Sequence, residues 1–318
     1  RGSEGPRVRG SAEARGLEAE GPGGLGRGAA GPEALTLSAV SRLPRLALVL
    51  LVLMFAAVLL RTAWIGDDAL ITVRSVLNVT HGYGLTFNIG ERVQTFTHPL
   101  WLLGLTAGYL VLGNIYYAVF ALSIGVSLAA FYLAIRGSAH WAQAILVATA
   151  LFFSSAFVDF STSGLENPLS NLLLACFVGA ATDVSRDGRP RLKALWTLAS
   201  LLYLTRPDDV LIVAPVLVML TWRTRPFGPT LRAAVLGLSP ALLWTLFSVV
   251  YYGFPFPNTA YAKLATGISR PELWHQGVLY LLDSIDRDPV TLLAIGLGVV
   301  AGLGTRGLWR GLALGLVT

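Results

Sequence analysis

Charge is what this chain of 318 residues has least of: 13% of its residues are Asp, Glu, Lys or Arg, about half the share of an ordinary soluble domain. Combined with 54% apolar residues and a mean hydropathy of +0.64, this scarcity argues against a soluble globular fold and for a membrane protein. Cysteine is nearly absent too. The single Cys176 sits in an apolar segment, which excludes an intrachain disulfide and a cysteine metal cluster and leaves a small buried hydrophobe. The four histidines, His81, His98, His140 and His275, have no metal-ligand spacing, so no zinc site is expected. Neither a Gly-rich dinucleotide turn nor a P-loop is present. The net charge of +6 comes from short loops between apolar runs, which is a topology signal; no nucleic-acid partner is expected.

What is present is a succession of apolar runs, roughly 43–64, 115–135, 140–158, 168–183, 193–205, 209–222, 231–252 and 289–304, with another beginning near 307. In lipid a backbone must satisfy its own hydrogen bonds, so these runs predict an all-α polytopic membrane protein. Residues 1–40 are rich in Gly, Ala, Arg and Glu and have no aromatic residue; they read as a disordered cytoplasmic tail and not as a signal peptide. The transmembrane domain is expected over 43–318. The chain begins with Arg and stops inside an apolar run, so it is expected to be part of a longer protein.

Arg42, Arg45, Arg136, Arg186, Arg189, Arg191, Lys193, the stretch Trp222 to Arg225 with Arg223, Arg306 and Arg310 mark one set of loops, which the positive-inside rule puts in the cytoplasm. The other set carries Asp67, Asp68, Glu91, Asp159, Glu166, Asp208, Asp209, Glu272, Asp283, Asp286 and Asp288, so polar chemistry is expected on the external face. Run 99–112 starts with Pro and is too short for a standard span; we read it as re-entrant, with a full hairpin as the alternative.

The first external loop, 64–98, is the longest polar insertion. Its first half, "DDALITVRSVLNVTHGYGL", predicts an interfacial helix from Asp67 to Thr80, with Leu70, Ile71, Val73 and Leu77 on an apolar face and Asp67, Arg74 and Asn78 opposite. One of the two acids is expected to serve as N-cap. A second carboxylate at the hydrocarbon edge needs another reason: adjacent carboxylates can divide the work of a general base and a partner that orients or binds a cation. The second half, "FNIGERVQTFTHPLW", sets Glu91 and His98 among the aromatic residues Phe87, Phe96 and Trp101, a surface suited to a sugar ring or to a membrane aromatic belt. The sequon at Asn78 is not expected to be glycosylated. Further loops present Glu166 in "SGLENP", Arg206, Asp208 and Asp209 in "LTRPDDV", and Asn258 and Lys263 in "FPNTAYAKL". Arg206 and Lys263 are cations on an acidic face and can hold a phosphate, Arg bidentately; for Arg206 an ion pair with Asp208 or Asp209 is the competing reading.

Taken in order, the "DD" loop, "HGYGLTFNIGERVQTFTHPLW", "SGLENPL", "LTRPDD" and "FPNTAYAKL" resemble the GT-C superfamily of membrane glycosyltransferases. Within it the likeness is greatest to the terminal arabinofuranosyltransferases that finish cell-wall arabinan. It runs from about residue 43 to 270. The resemblance implies a GT-C-type helix bundle in the cytoplasmic membrane. It also implies inverting transfer of a sugar, arabinofuranose, from decaprenyl phosphate to a cell-wall glycan hydroxyl outside the cell. By position it makes Asp67 the general base, Asp68 its neighbour, Arg206 and Lys263 the donor-phosphate contacts and Glu166 a second acidic contact. Arg74, His81, Glu91, His98, Asp208 and Asn258 complete the candidate substrate-binding set. No organic cofactor is implied, and a divalent cation at the carboxylates stays open. The rival readings are transfer of mannose, glucose or an aminosugar from the same carrier, and transport of a lipid-linked sugar.

Overall fold

The computed structural model describes residue 2 and residues 44–187, 191–264 and 267–317. The expected disordered tail and Arg42 and Arg189 of the basic loops lie outside the described residues. What is described is helical, with no strand among the described residues: α1 (Arg45–Arg61), α2 (Asp67–Thr80), α3 (Pro99–Leu112), α4 (Ile115–Arg136), α5 (Trp141–Phe153), α6 (Ser155–Phe160), α7 (Asn167–Asp187), α8 (Leu192–Thr205), α9 (Asp209–Arg223), α10 (Phe227–Tyr252), α11 (Asn258–Leu264), α12 (Arg270–Arg287), α13 (Pro289–Leu303) and α14 (Leu308–Val317).

Two helices, α4 and α10, are long and apolar enough to cross a membrane by length and composition, with mean hydropathies of 2.2 and 1.9. At 1.5 Å per residue they run about 33 and 39 Å. Helices α3, α5, α8, α13 and α14 are apolar but shorter. Large apolar side chains such as Leu46, Leu60, Leu110, Leu146 and Val250 lie exposed, while Thr72, Gln94, Ser127, Thr162 and Ser248 are buried. An apolar exterior around polar interior contacts suits a helical membrane protein, where lipid is as apolar as the core.

Three buried clusters hold the helices together. Leu173, Phe177, Leu195, Leu202, Val213 and Val216 join α7, α8 and α9; Val73, Val76, Phe96, Trp101, Leu105 and Tyr252 join α2, α3 and the end of α10; Phe55, Leu59, Phe131 and Ala148 join α1, α4 and α5. Helices α8 and α10 run parallel, since Gly237 packs on Trp196 and the Ala241 N–H donates to Ser200 Oγ (2.9 Å) four residues further along both. A Cβ on Gly237 would stand 2.9 Å from the Lys193 carbonyl oxygen, so only glycine lets the backbones approach this closely.

The structure corrects several sequence expectations. The run 140–158 is not one helix: α5 stops at Phe153, and Ser154 Oγ accepts from the Phe157 N–H (3.0 Å) to start α6. Residues 253–288, expected to be loop, contain α11 and α12; α12 escaped notice because its apolar residues form only one stripe among exposed polar ones. The core face of α2 runs through Ala69, Thr72, Val73 and Val76, while Leu70 of the expected apolar face is exposed.

Candidate functional site

The segment 159–164 that leads into "SGLEN" is fixed by its own carbonyl groups, caught by the 62–66 loop and by α3 and α4. Trp64 Nε1–H donates to the Asp159 carbonyl (2.8 Å), Ser127 Oγ–H of α4 to that of Ser161 (3.1 Å), the Gly66 N–H to that of Ser163 (2.9 Å) and Trp101 Nε1–H of α3 to that of Gly164 (2.9 Å). Gly164 has φ +81°, and a Cβ there would lie 2.9 Å from Ala69 Cβ of α2, so glycine is required twice over. The segment is thereby seated against α2, α3 and α4, and Glu166 leaves it directly before α7. Its carboxylate is only about a tenth exposed.

Glu166 sits at the centre of a polar chain. Its Oε2 stands 3.1 Å from His98 Nδ1, and His98 Nε2 stands 2.7 Å from Thr72 Oγ1 of α2. A carboxylate only accepts, so Nδ1 carries the proton, and Nε2 then accepts from the Thr72 hydroxyl. His98 is 7% exposed. Burial, its largest influence, lowers its pKa; Glu166 raises it and Arg206 lowers it again, and the balance falls below the ordinary value. His98 is therefore a neutral connector with both ring nitrogens engaged. On the other side, Arg206 Nη1 lies 3.8 Å from Glu166 Oε1, and its Nη2 lies 3.3 Å from Asp208 Oδ2. Partial burial opposes the charge of Arg206, but Asp208, Glu166 and Asp209 outweigh it and push its pKa up. The ion pair with Asp208 thus exists alongside a contact to Glu166.

Glu166 and Arg206 line one end of a cavity of about 610 Å³. Asn167 and Asn171 of α7 and Ser154 and Thr291 add polar groups, and Leu151, Phe157, Phe160, Leu165, Ala294 and Ile295 make the rest apolar. One wall is held by Asp288, which accepts from the Ala156 N–H (2.7 Å) and from the Thr291 hydroxyl (2.7 Å) and N–H (3.2 Å).

The acid pair stands at the start of the helix that carries Thr72. Asp67 and Asp68 are exposed first-turn residues of α2, and the N-cap is Gly66, not an Asp as the sequence had suggested. The Gly66 N–H donates to the Ser163 carbonyl, and the helix starts without a side-chain cap. Asp67 Oδ1 accepts from the Asp68 N–H (3.0 Å). Asp68 precedes Thr72 by one turn on the same helix face, about 6 Å along the axis.

The other sequence candidates fall elsewhere. Arg74 donates through Nε to the Phe87 carbonyl (3.0 Å) and its guanidinium lies over the Phe87 ring (4.4 Å). His81 Nδ1 lies 2.7 Å from the Leu77 carbonyl oxygen at the end of α2, and Glu91 accepts from Asn88 (3.2 Å) within its own turn. Asn258 pairs with Gln94: its Oδ1 accepts from the Gln94 N–H and its N–H donates to the Gln94 carbonyl, both at 3.1 Å. Lys263 belongs to α11, and its side chain is outside the described residues. Phe96 and Trp101, read as a sugar platform or an aromatic belt, are core residues at 2% and 1% exposure. Thr72, Asn167 and Asn171 were missed; the only signal for Thr72 is its position four residues after Asp68. Among the described residues no three His, Cys, Asp or Glu side chains converge as a metal-ligand set.

No family model and no solved structure matches the chain. Two curated relatives do. A terminal beta-(1->2)-arabinofuranosyltransferase of Mycobacterium tuberculosis is 30% identical over 258 residues, covering 76% of this chain and 40% of the relative. A protein of the same name from Corynebacterium glutamicum is 30% identical over 281 residues, covering 78% and 39%. The chain thus spans about two fifths of the length of the relatives it matches. Over about three quarters of its length this chain is thus similar to the terminal beta-(1->2)-arabinofuranosyltransferases.

Proposed function

We propose that the protein to which this chain belongs is a multi-pass GT-C-type glycosyltransferase of the cytoplasmic membrane. It transfers an arabinofuranosyl group from decaprenyl phosphate to a hydroxyl of a cell-wall glycan on the external face. The observation that carries the reading is the buried Glu166, oriented by His98 and facing Arg206, at one end of a largely apolar cavity. A phosphate ester on an isoprenoid tail asks for that combination of a cation, a few polar groups and apolar space. The names of the two relatives supply the sugar.

In this mechanism the acceptor hydroxyl attacks the anomeric carbon from the face opposite the phosphate. Asp67 takes the hydroxyl proton as the new C–O bond forms, and Asp68 helps orient the acceptor. The bond to the lipid phosphate breaks with both electrons going to the phosphate oxygen, so configuration inverts. Arg206, with Lys263 as a second cation, balances the charge that develops there. Glu166 and Asp208 hold Arg206 in position. Arg74, His81, Glu91, His98 and Asn258 shape the surrounding loop.

The test is transfer from labelled decaprenyl-phosphoarabinose to an arabinan acceptor by the full-length protein. Asp67→Asn is expected to reduce kcat by about 10²-fold or more, the usual contribution of a general base. Transfer at the wild-type rate by both Asp67→Asn and Asp68→Asn would remove the proposed base. Movement of a lipid-linked sugar across vesicles without its consumption would show a transporter instead.

A further inference from the structure

A second cavity, of about 800 Å³, lies at the other end of α8 from Arg206. The second reaches along α8 to Leu198, so about 12 Å of helix separates it from Arg206. The two cavities differ in sign. The first is lined by Glu166 with Arg206; the second is lined by Arg191, Lys193 and Arg225 with no carboxylate among its lining residues. Arg191 is shared with Asp183 at 3.7 Å, but Lys193 and Arg225 make no ion pair among the described residues. The Arg225 guanidinium lies over the Phe227 ring at 4.2 Å and beside Trp222 at 5.9 Å, and both rings are exposed.

The rest of the lining is mostly apolar, Leu192, Leu198, Pro226, Pro229 and Ala233 among it, with the hydroxyl residues Thr197, Thr224 and Thr230. The first turns of both helices border the opening, with α10 starting about 9 Å before α8 because Gly237 in its third turn packs against Trp196 in the second turn of α8, and neither N-terminus has a side-chain cap. Their dipoles add to the positive field of Lys193 and Arg225. A groove with a cationic rim, exposed interfacial aromatic residues and an apolar floor matches a membrane lipid whose headgroup carries negative charge.

We propose that this groove between α8 and α10 binds an anionic phospholipid, the phosphate held by Lys193 and Arg225 and an acyl chain lying along the apolar wall. Its basic residues are those that the positive-inside rule assigns to the cytoplasmic leaflet, so the site lies on the face opposite to the Glu166 cavity. The inference rests on reading the chain as membrane-embedded and is independent of the transfer reaction.

The test is native mass spectrometry of the full chain released from detergent with phosphatidylglycerol or phosphatidylcholine. Phosphatidylglycerol is expected to stay bound under conditions that strip phosphatidylcholine. Lys193→Gln with Arg225→Gln is expected to weaken its retention roughly thirtyfold, about fivefold per cation. Ala233→Trp, which fills the groove without changing charge, is expected to weaken it as well. Arg45→Gln with Arg306→Gln removes the same charge outside the groove and is expected to leave retention unchanged. Equal retention in all variants, or equal loss in the control pair, overturns the site. Displacement of the lipid by inorganic phosphate alone would overturn the assignment to a lipid and identify a simple anion site.

Discussion

Replacing His98 by Asn and by Gln separates its two hydrogen bonds. An Asn amide nitrogen takes the place of Nδ1 and keeps the bond to Glu166, leaving the Thr72 hydroxyl without an acceptor. A Gln amide oxygen takes the place of Nε2 and keeps the bond from Thr72, leaving Glu166 without its buried donor. A hydrogen bond to a charged group contributes about 1.5–3 kcal/mol and a neutral one about 1 kcal/mol, so His98→Gln is expected to be the more destabilising. The pH dependence separates both variants from the wild type. Burial holds the folded-state pKa of His98 below its unfolded value of about 6.5. The neutral ring thus contributes stability that is complete above the unfolded value and is lost as pH falls through the folded one. His98→Asn lacks that titration. Thermal unfolding in detergent from about pH 5 to pH 8 is expected to show a shallower acid limb for His98→Asn than for wild type. Equal destabilisation by Asn and Gln, or an unchanged acid limb in His98→Asn, would refute the assigned tautomer and the connector role.

The same substitution is expected to have opposite signs at two helix glycines. Gly237→Ala pushes a methyl group into the Lys193 and Thr197 backbone and is expected to cost about 1–3 kcal/mol in thermal unfolding, whereas Gly125→Ala meets nothing within 4 Å and is expected to be neutral or stabilising by up to about 1 kcal/mol. Asp288→Ala removes the N-cap of α13 and the clamp on Ala156, and is expected to cost about 1–2 kcal/mol. Partial burial opposes the Asp288 charge, but hydrogen bonds from Ala156, Thr291 and Ser155 outweigh it and depress the pKa. Its stabilisation is therefore present above the ordinary carboxylate range and is lost as pH falls through the lower folded value, an acid-limb component that circular dichroism should find missing in Asp288→Ala.

Helices such as α4 and α10 were legible because a long apolar run has one stable form in lipid. The proximity of Arg206 and Asp208 was legible because only Pro207 separates them. Contacts such as Thr72 with His98 were not, because they depend on how the turn before Pro99 meets α2, 26 residues away. The orientation of α2 was misjudged for a related reason. Thr72 and Ser75 look solvent-facing by type, but each has a hydrogen-bond partner, His98 Nε2 for Thr72 and the Ile71 carbonyl (3.2 Å) for Ser75, so burying them carries little penalty. Glu166 stood out as an acid in a loop; its role as the hub of four elements required the packing of Gly164 against Ala69.

Asp288 ends α12 and begins α13 with no residue between them. A joint without slack transmits motion. Helix α12 has no buried residue and carries Trp274, Val278 and Leu281 on its apolar stripe, so whatever it rests on acts upon it directly. Any tilt imposed there is delivered through one side chain to Ala156 and Thr291, which border the cavity holding Glu166 and Arg206. A helix with no buried residue is thus joined directly to the border of the cavity lined by Glu166 and Arg206.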